Sequence, residues 1–150
     1  MLTIDCGFEG APQAWRMLVL RGVVLSVNVG FDSNYKPESN TPPKAGVSRI
    51  EALVDTGSDE SCIDNILAHT LGLPIVDRQR VTGIAGLSEV NMHLGQIYIP
   101  RLKFTVHGRL AAVKLVEGGS TFQVLLGRTF LRHVKLIYDG PNGTVTIARD

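Results

Sequence analysis

Ala52-Leu53-Val54-Asp55-Thr56-Gly57-Ser58 is the stretch on which the reading of this chain turns. Leu53 and Val54 have the apolar, branched character of the end of a buried strand. Asp55 then stands where that strand emerges, and Gly57 lets the backbone turn and another chain approach closely. A carboxylate beside bare backbone suits catalysis. Asp and Gly are also common turn residues, so the tripeptide alone leaves open a structural turn in which Thr56 merely bonds to Asp55.

Working upstream, Arg49 to Val54 reads as the strand that delivers Asp55. Residues 32–48 hold Pro37, Pro42, Pro43 and several Ser and Asn, and read as a long, mobile surface loop. Before it, Val23, Leu25, Val27 and Val29 alternate as in a strand, and Met17 to Leu20 reads as another, separated from it by Arg21-Gly22. Residues 1–16 read as an N-terminal extension with little periodicity, in which Trp15 covers a core edge.

Downstream, Ile63, Ile66 and Leu67 share a helical face, and Gly72 with Pro74 stops that helix. Two strands, Arg78 to Val81 and Ser88 to Met92, flank a hairpin tip of small residues around Gly83-Ile84-Ala85. Further strands follow at 95–99, 102–106, 110–116 and 122–126. A short helix is expected over 127–133, with Phe130 and Leu131 turned inward. Val134 to Tyr138 and Thr144 to Ile147 flank a hairpin turn at 139–143. Short strands at turn-punctuated spacing predict an all-β, barrel-like domain spanning 1–150 with one or two short helices.

Composition narrows the function classes. The 150 residues suggest one domain, and 44% hydrophobic against 19% charged residues fits a folded chain with a real core. A net charge of +1 gives no electrostatic case for nucleic acid or an anionic membrane. No apolar run approaches a membrane span and no signal peptide is visible. Cys6 and Cys62 form no metal or redox spacing, which fits a reducing, cytoplasmic compartment, with Cys62 a small core residue. The length equally fits a domain excised from a larger protein. His69, His93, His107 and His133 form no metal-binding pattern, so no metal and no cofactor are expected. Gly83 to Gly86 is not a phosphate loop, since no Gly-Lys-Ser/Thr follows.

From about Leu20 to Tyr138 the chain resembles the retropepsin-like aspartic proteases. Three blocks carry the resemblance, in order: Glu51 to Asp59 is similar to the family's catalytic loop, Val81 to Gly86 to its Gly-rich flap, and Val124 to Leu131 to its late strand, Gly-Arg pair and short helix. Two departures point to cellular or bacterial members. The 32–48 loop is longer than in the viral enzymes, and the chain runs on through Pro141-Asn142-Gly143 to Asp150, where retroviral members end in a shared dimer sheet.

The resemblance implies an acid-protease barrel working as a C2 homodimer on a polypeptide substrate. Hydrolysing an amide through water needs one carboxylate as base and one carboxylic acid as proton donor. Two carboxyls pressed together cannot both ionise, so such a pair holds one proton. This chain has one Asp-Thr-Gly, so the second acid must come from a second copy. By the resemblance, Asp55 with Thr56 and Gly57 forms the catalytic triplet. Gly57, Ser58 and Asp59, with Gly83, Ile84 and Ala85 of the flap, hold substrate. Arg128 pairs with Asp59, and Arg21 reaches the same acid from the partner chain. Ser58 offers a hydroxyl near Asp55. The competing reading is a non-catalytic peptide-binding or dimerisation module of the same fold.

Overall fold

The computed structural model describes residues 1–83 and 86–150, with Thr82 and Gly83 described by backbone alone. The expected flap-tip residues Ile84 and Ala85 lie outside the described residues. In chain order the elements are β1 (Leu2–Asp5), α1 (Ala14–Arg21), β2 (Val24–Gly30), β3 (Val47–Val54), β4 (Cys62–Asp64) and α2 (Asn65–Thr70). There follow β5 (Ile75–Gly83), β6 (Gly86–Ile99), a 3-10 turn at Pro100–Leu102, β7 (Phe104–Val113), β8 (Val124–Leu126), α3 (Arg128–Leu131), β9 (Lys135–Asp139) and β10 (Thr144–Arg149).

Seven strands form one sheet in the order β2-β3-β8-β4-β7-β6-β5, and β2 also pairs with β6. That extra pairing closes six of the strands on themselves and leaves β5 hanging from β6, so the domain is a barrel with a projecting hairpin. Most neighbours run antiparallel, but β3 runs parallel to β8 (Val54 opposite Leu126) and β4 parallel to β7. A second sheet has the order β1-β10-β9. One buried cluster joins the two sheets, with Val27, Ile97, Leu126 and Phe130 from the barrel side and Ile4, Val145 and Ile147 from the terminal sheet.

The mostly-β barrel agrees with the sequence, and several local readings are corrected. Met17 to Leu20 lies in α1, not in a strand. A run of consecutive apolar residues has no period that separates helix from strand. Good helix formers surround it, and Ala14 and Leu18, four apart, are the buried pair that sets the helical face. Three short α-helices form among the described residues, one more than expected, and Trp15 on α1 is half exposed at 51%. Residues 1–16 also include β1, which pairs with β10. Ile63 belongs to β4, and Ile66 on α2 is exposed, so the expected Ile63–Ile66–Leu67 face does not form. Finally, strands expected as fragments at 88–92 and 95–99 are one long β6, and those at 102–106 and 110–116 fall mainly within β7. Each carries the other through its polar interruption, in unbroken register from Met92 opposite Ala111 to Ile99 opposite Phe104. His93 tolerates burial there because its Nδ1 lies 2.8 Å from the Leu73 carbonyl.

Candidate active site

Asp55 leaves the end of β3 and is fixed at once by main chain. Its N–H donates to the Leu126 carbonyl on β8 at 2.9 Å, and its Oδ1 accepts from Gly57 N–H at 2.9 Å. The Gly57 bond tightens the turn and leaves the carboxylate partly open to solvent. Thr56 and Gly57 are exposed beside it.

The loop that follows is clamped by the Gly-Arg block, far away in sequence. Arg128 N–H donates to the Ser58 carbonyl at 2.7 Å and Thr129 N–H to the Asp59 carbonyl at 3.0 Å. Gly127 lies so close that a Cβ there would meet the Glu60 carbonyl oxygen at 2.3 Å and that of Ser58 at 2.7 Å. Ser61, 1% exposed, places its hydroxyl 3.1 Å from that of Thr129 and accepts from Gly127 N–H at 3.3 Å. Its carbonyl accepts from Ala111 N–H on β7. Two of the three expected blocks, 51–59 and 124–131, are thus interlocked. From the third, Gly83 lies at the end of β5, paired with Gly86.

The side-chain pairings expected around this loop are different in the structure. Arg128 and Asp59 do not form an ion pair. Arg128 is exposed and donates from Nη1 to the Thr56 carbonyl at 2.9 Å, while Asp59 accepts from Glu60 N–H at 2.8 Å. Both groups lie at the surface, where water and nearby main chain satisfy them without a partner charge. Within this chain Arg21 pairs with Glu51 at 3.3 Å, both half exposed. The Ser58 hydroxyl donates to the Glu60 carbonyl at 2.7 Å rather than to Asp55.

Two residues that the sequence reading passed over also shape the site. Ser61 is one. Its signal was a hydroxyl standing immediately before the apolar Cys62-Ile63. Asp64, 1% exposed, is the other: its Oδ2 caps α2 through Leu67 N–H, and its Oδ1 accepts from Leu115 and Val116 N–H. An Asp just before an apolar helix is a capping signal.

Cys62 sits close behind the loop, and its chemistry argues against a thiolate nucleophile. Burial pushes its thiol up from the ordinary value, against the nearby Ser58 hydroxyl, which lowers it, and the Asp55, Asp59 and Glu60 carboxylates push the same way as burial. A group held as the neutral thiol is a poor nucleophile. Among the described residues no group of three or more His, Cys, Asp or Glu side chains is arranged to hold a metal ion, and no helix is long and apolar enough to cross a membrane.

Residues 45–133 match the family model described as "gag-polyprotein putative aspartyl protease". The chain belongs to this family of retropepsin-like aspartyl proteases. The matched segment contains Asp55-Thr56-Gly57, the whole β5–β6 hairpin and the Gly127-Arg128 block. A search of curated proteins found no match. Among solved structures the chain is similar to three proteases. The simian foamy virus (mac) protease is 11% identical, with a TM-score of 0.45 over 73% of this chain and 91% of that one. The EIAV protease complexed with the inhibitor HBY-793 is 17% identical, with a TM-score of 0.45 over 73% and 84%. The aspartic proteinase from Irpex lacteus is 16% identical, with a TM-score of 0.47 over 99% of this chain and 47% of that one, so this chain spans about half its length.

Proposed function

We propose that this chain is one half of a homodimeric aspartic endopeptidase. The observation that carries the reading is a single Asp-Thr-Gly at a strand end, its carboxylate partly open and its backbone clamped to β8 and α3. Two Asp55 carboxyls, one per copy, share a proton across the two-fold axis. The ionised one takes a proton from a water whose oxygen attacks the peptide carbonyl carbon, and the protonated one donates to the carbonyl oxygen. Collapse of the resulting diol, with proton return to the nitrogen, breaks the C–N bond. Thr56 and Gly57 hold the two loops in register and admit the substrate backbone. Ser58, Asp59 and the hairpin residues Gly83, Ile84 and Ala85 line the groove, and the hairpin closes over an extended peptide.

Two cavities among the described residues, of about 860 and 520 Å³, are lined by residues other than Asp55. A groove completed by a second copy is an open surface on one chain, which suits the dimeric reading. The terminal sheet supports it too. That sheet ends on two edge strands, β1 and β9, and on β9 Ile137 and Tyr138 stand 49% and 54% exposed, open to a partner. Arg21 and Arg128 act as supports of the Asp55 loop, through Glu51 on β3 and the Thr56 carbonyl. Two unpaired cysteines, with Cys6 pushed up to about 11 by burial, suit a reducing, cytoplasmic setting.

Incubation with a mixed peptide library at several pH values, beside an Asp55→Asn control, tests the reading. Cleavage by the wild type alone is the expected result. Binding without cleavage would make the chain a peptide-binding module of the same fold, and cleavage by both proteins would remove Asp55 from the chemistry.

A further inference from the structure

A cavity of about 860 Å³ lies between the 32–46 loop and strands β6 and β7, and ends against the Asp55 loop at Glu60 and against α3 at Thr129. It is a built feature. Asp32 clasps the two ends of its covering loop, accepting at 2.9 Å from both Asn34 and Lys44 N–H. It also ties the loop to β6 by donating from its own N–H to Gln96 Oε1 at 2.7 Å. Inside, the Tyr35 and His107 rings meet at 5.8 Å. The Phe104 ring carries the Arg149 guanidinium at 5.4 Å and the His133 ring at 5.2 Å.

The lining is unlike the chain as a whole in its charge. Fifteen basic side chains against fourteen acidic ones make the chain nearly neutral. The cavity gathers Lys103, Arg109 and Arg149 with His107 and His133, against Glu60 alone. Arg109 is neutralised by Asp77, and Arg149 is turned to the Leu102 and Lys103 carbonyls. Lys103 is exposed and makes no ion pair among the described residues. A partly enclosed space with ring faces, a free ammonium and two imidazoles is complementary to carboxylates on an extended chain.

We propose that this cavity is an accessory site for an acidic peptide segment, the part of a polypeptide substrate that runs beyond the residues being cut. The identity of its occupant rests on the endopeptidase reading. The site adjoins the Asp55 loop at Glu60, beside Thr129 of α3, within reach of a chain that leaves the Asp55 site on that side. It selects substrates by charge outside the bond that is hydrolysed. Nucleic acid is disfavoured because the basic groups are confined to one cavity, whereas a backbone-tracking site needs them in a run.

The test uses the full-length Asp55→Asn chain, so that nothing is cut, and a fluorescein-labelled decapeptide of alternating Asp and Glu, with its Asn/Gln analogue as control. The acidic peptide should bind at least tenfold more tightly than the amide analogue, and Lys103→Glu should weaken it at least tenfold. Lys103→Asn suits the left-handed backbone at that position, φ 48°, and guards against a folding artefact. It should weaken binding severalfold with an unchanged melting temperature. Equal binding of the two peptides, indifference to both Lys103 variants, or tighter binding of an oligothymidylate of the same charge would overturn the proposal. Because binding is read without cleavage, charge-selective binding by a wild-type protein that cuts nothing sinks the protease reading and leaves the cavity site standing.

Discussion

Residues 55–61 hydrogen-bond through their main chain to three other elements, β8, α3 and β7, whereas β5 pairs with β6 alone. The first region is held from behind by buried groups such as Ser61 and Gly127. The second is a two-stranded ribbon whose outer part shows Leu87, Ser88 and Glu89 to solvent, and whose Arg78–Glu89 pair at 3.6 Å is more than half exposed on both sides. An isolated two-stranded ribbon is marginally stable by itself. Under the proposed function, a floor fixed from several directions and a cover fixed from one are what a closing site needs. The contrast also shows where rigidity resides: in backbone contacts of the floor, not in the exposed charges around it.

The strongest expected effect separates chemistry from scaffold within the floor. Asp55→Asn should lower peptide hydrolysis by about a thousandfold or more, since it removes the group that transfers the proton. The fold should be unchanged, because an amide Oδ1 can still accept from Gly57 N–H. Hydrolysis assays and thermal melts on the same preparation check both halves.

Next comes the floor's backbone clamp. Gly127→Ala should destabilise the protein by about 3 kcal/mol in denaturant melts, since the added Cβ meets main-chain oxygens that cannot step aside. Ser61→Ala should cost about 1–2 kcal/mol, because Gly127 N–H is left buried with no acceptor. Arg128→Ala, by contrast, should cost about 1 kcal/mol or less, the value of one solvent-exposed bond to the Thr56 carbonyl. A loss of several kcal/mol at Arg128 would mean that its charge is buried in the dimer, and would reverse the ranking of backbone over charge.

The smallest effect concerns the loop over the accessory cavity. The Lys44 and Asn34 N–H groups hold the Asp32 carboxyl below the usual carboxylate range. A depressed folded value stabilises the loop above the ordinary carboxylate pKa of about 3.9, and that support is lost as pH falls through the folded value. Protection of the Asn34 and Lys44 amide protons, relative to the intrinsic exchange rate at each pH, should therefore fall only below about pH 4, and Asp32→Asn should remove that dependence.

The elements that could be read from the sequence are those in which pattern and environment agree. Alternation at Val23 to Val29 gives β2, and Leu53-Val54 running into Asp-Thr-Gly gives β3 and its loop. Met17 to Leu20 carries no period, and only packing of Ala14 and Leu18 decides for a helix. Long β6 and β7 looked broken because polar residues and glycines interrupt them, and their continuity comes from pairing with each other. At the site, the tip of the flap block lies outside the described residues, but the 51–59 and 124–131 blocks were legible. The clamp was not, because bonds such as Thr129 N–H to the Asp59 carbonyl leave no mark on side-chain identity. The Asp59–Arg128 pair was expected from the family resemblance, and the exposure of both groups removes the need for it.

The central claim is that each active site draws one Asp55 from each of two chains. Mixing wild-type protein with increasing excess of Asp55→Asn chains, after enough time for subunit exchange, tests it most directly. Heterodimers hold a single competent carboxyl, so hydrolysis per wild-type chain should fall towards zero as the variant is added. Hydrolysis per wild-type chain that stays constant at every ratio, while sedimentation shows the two chains mixing, would contradict the account.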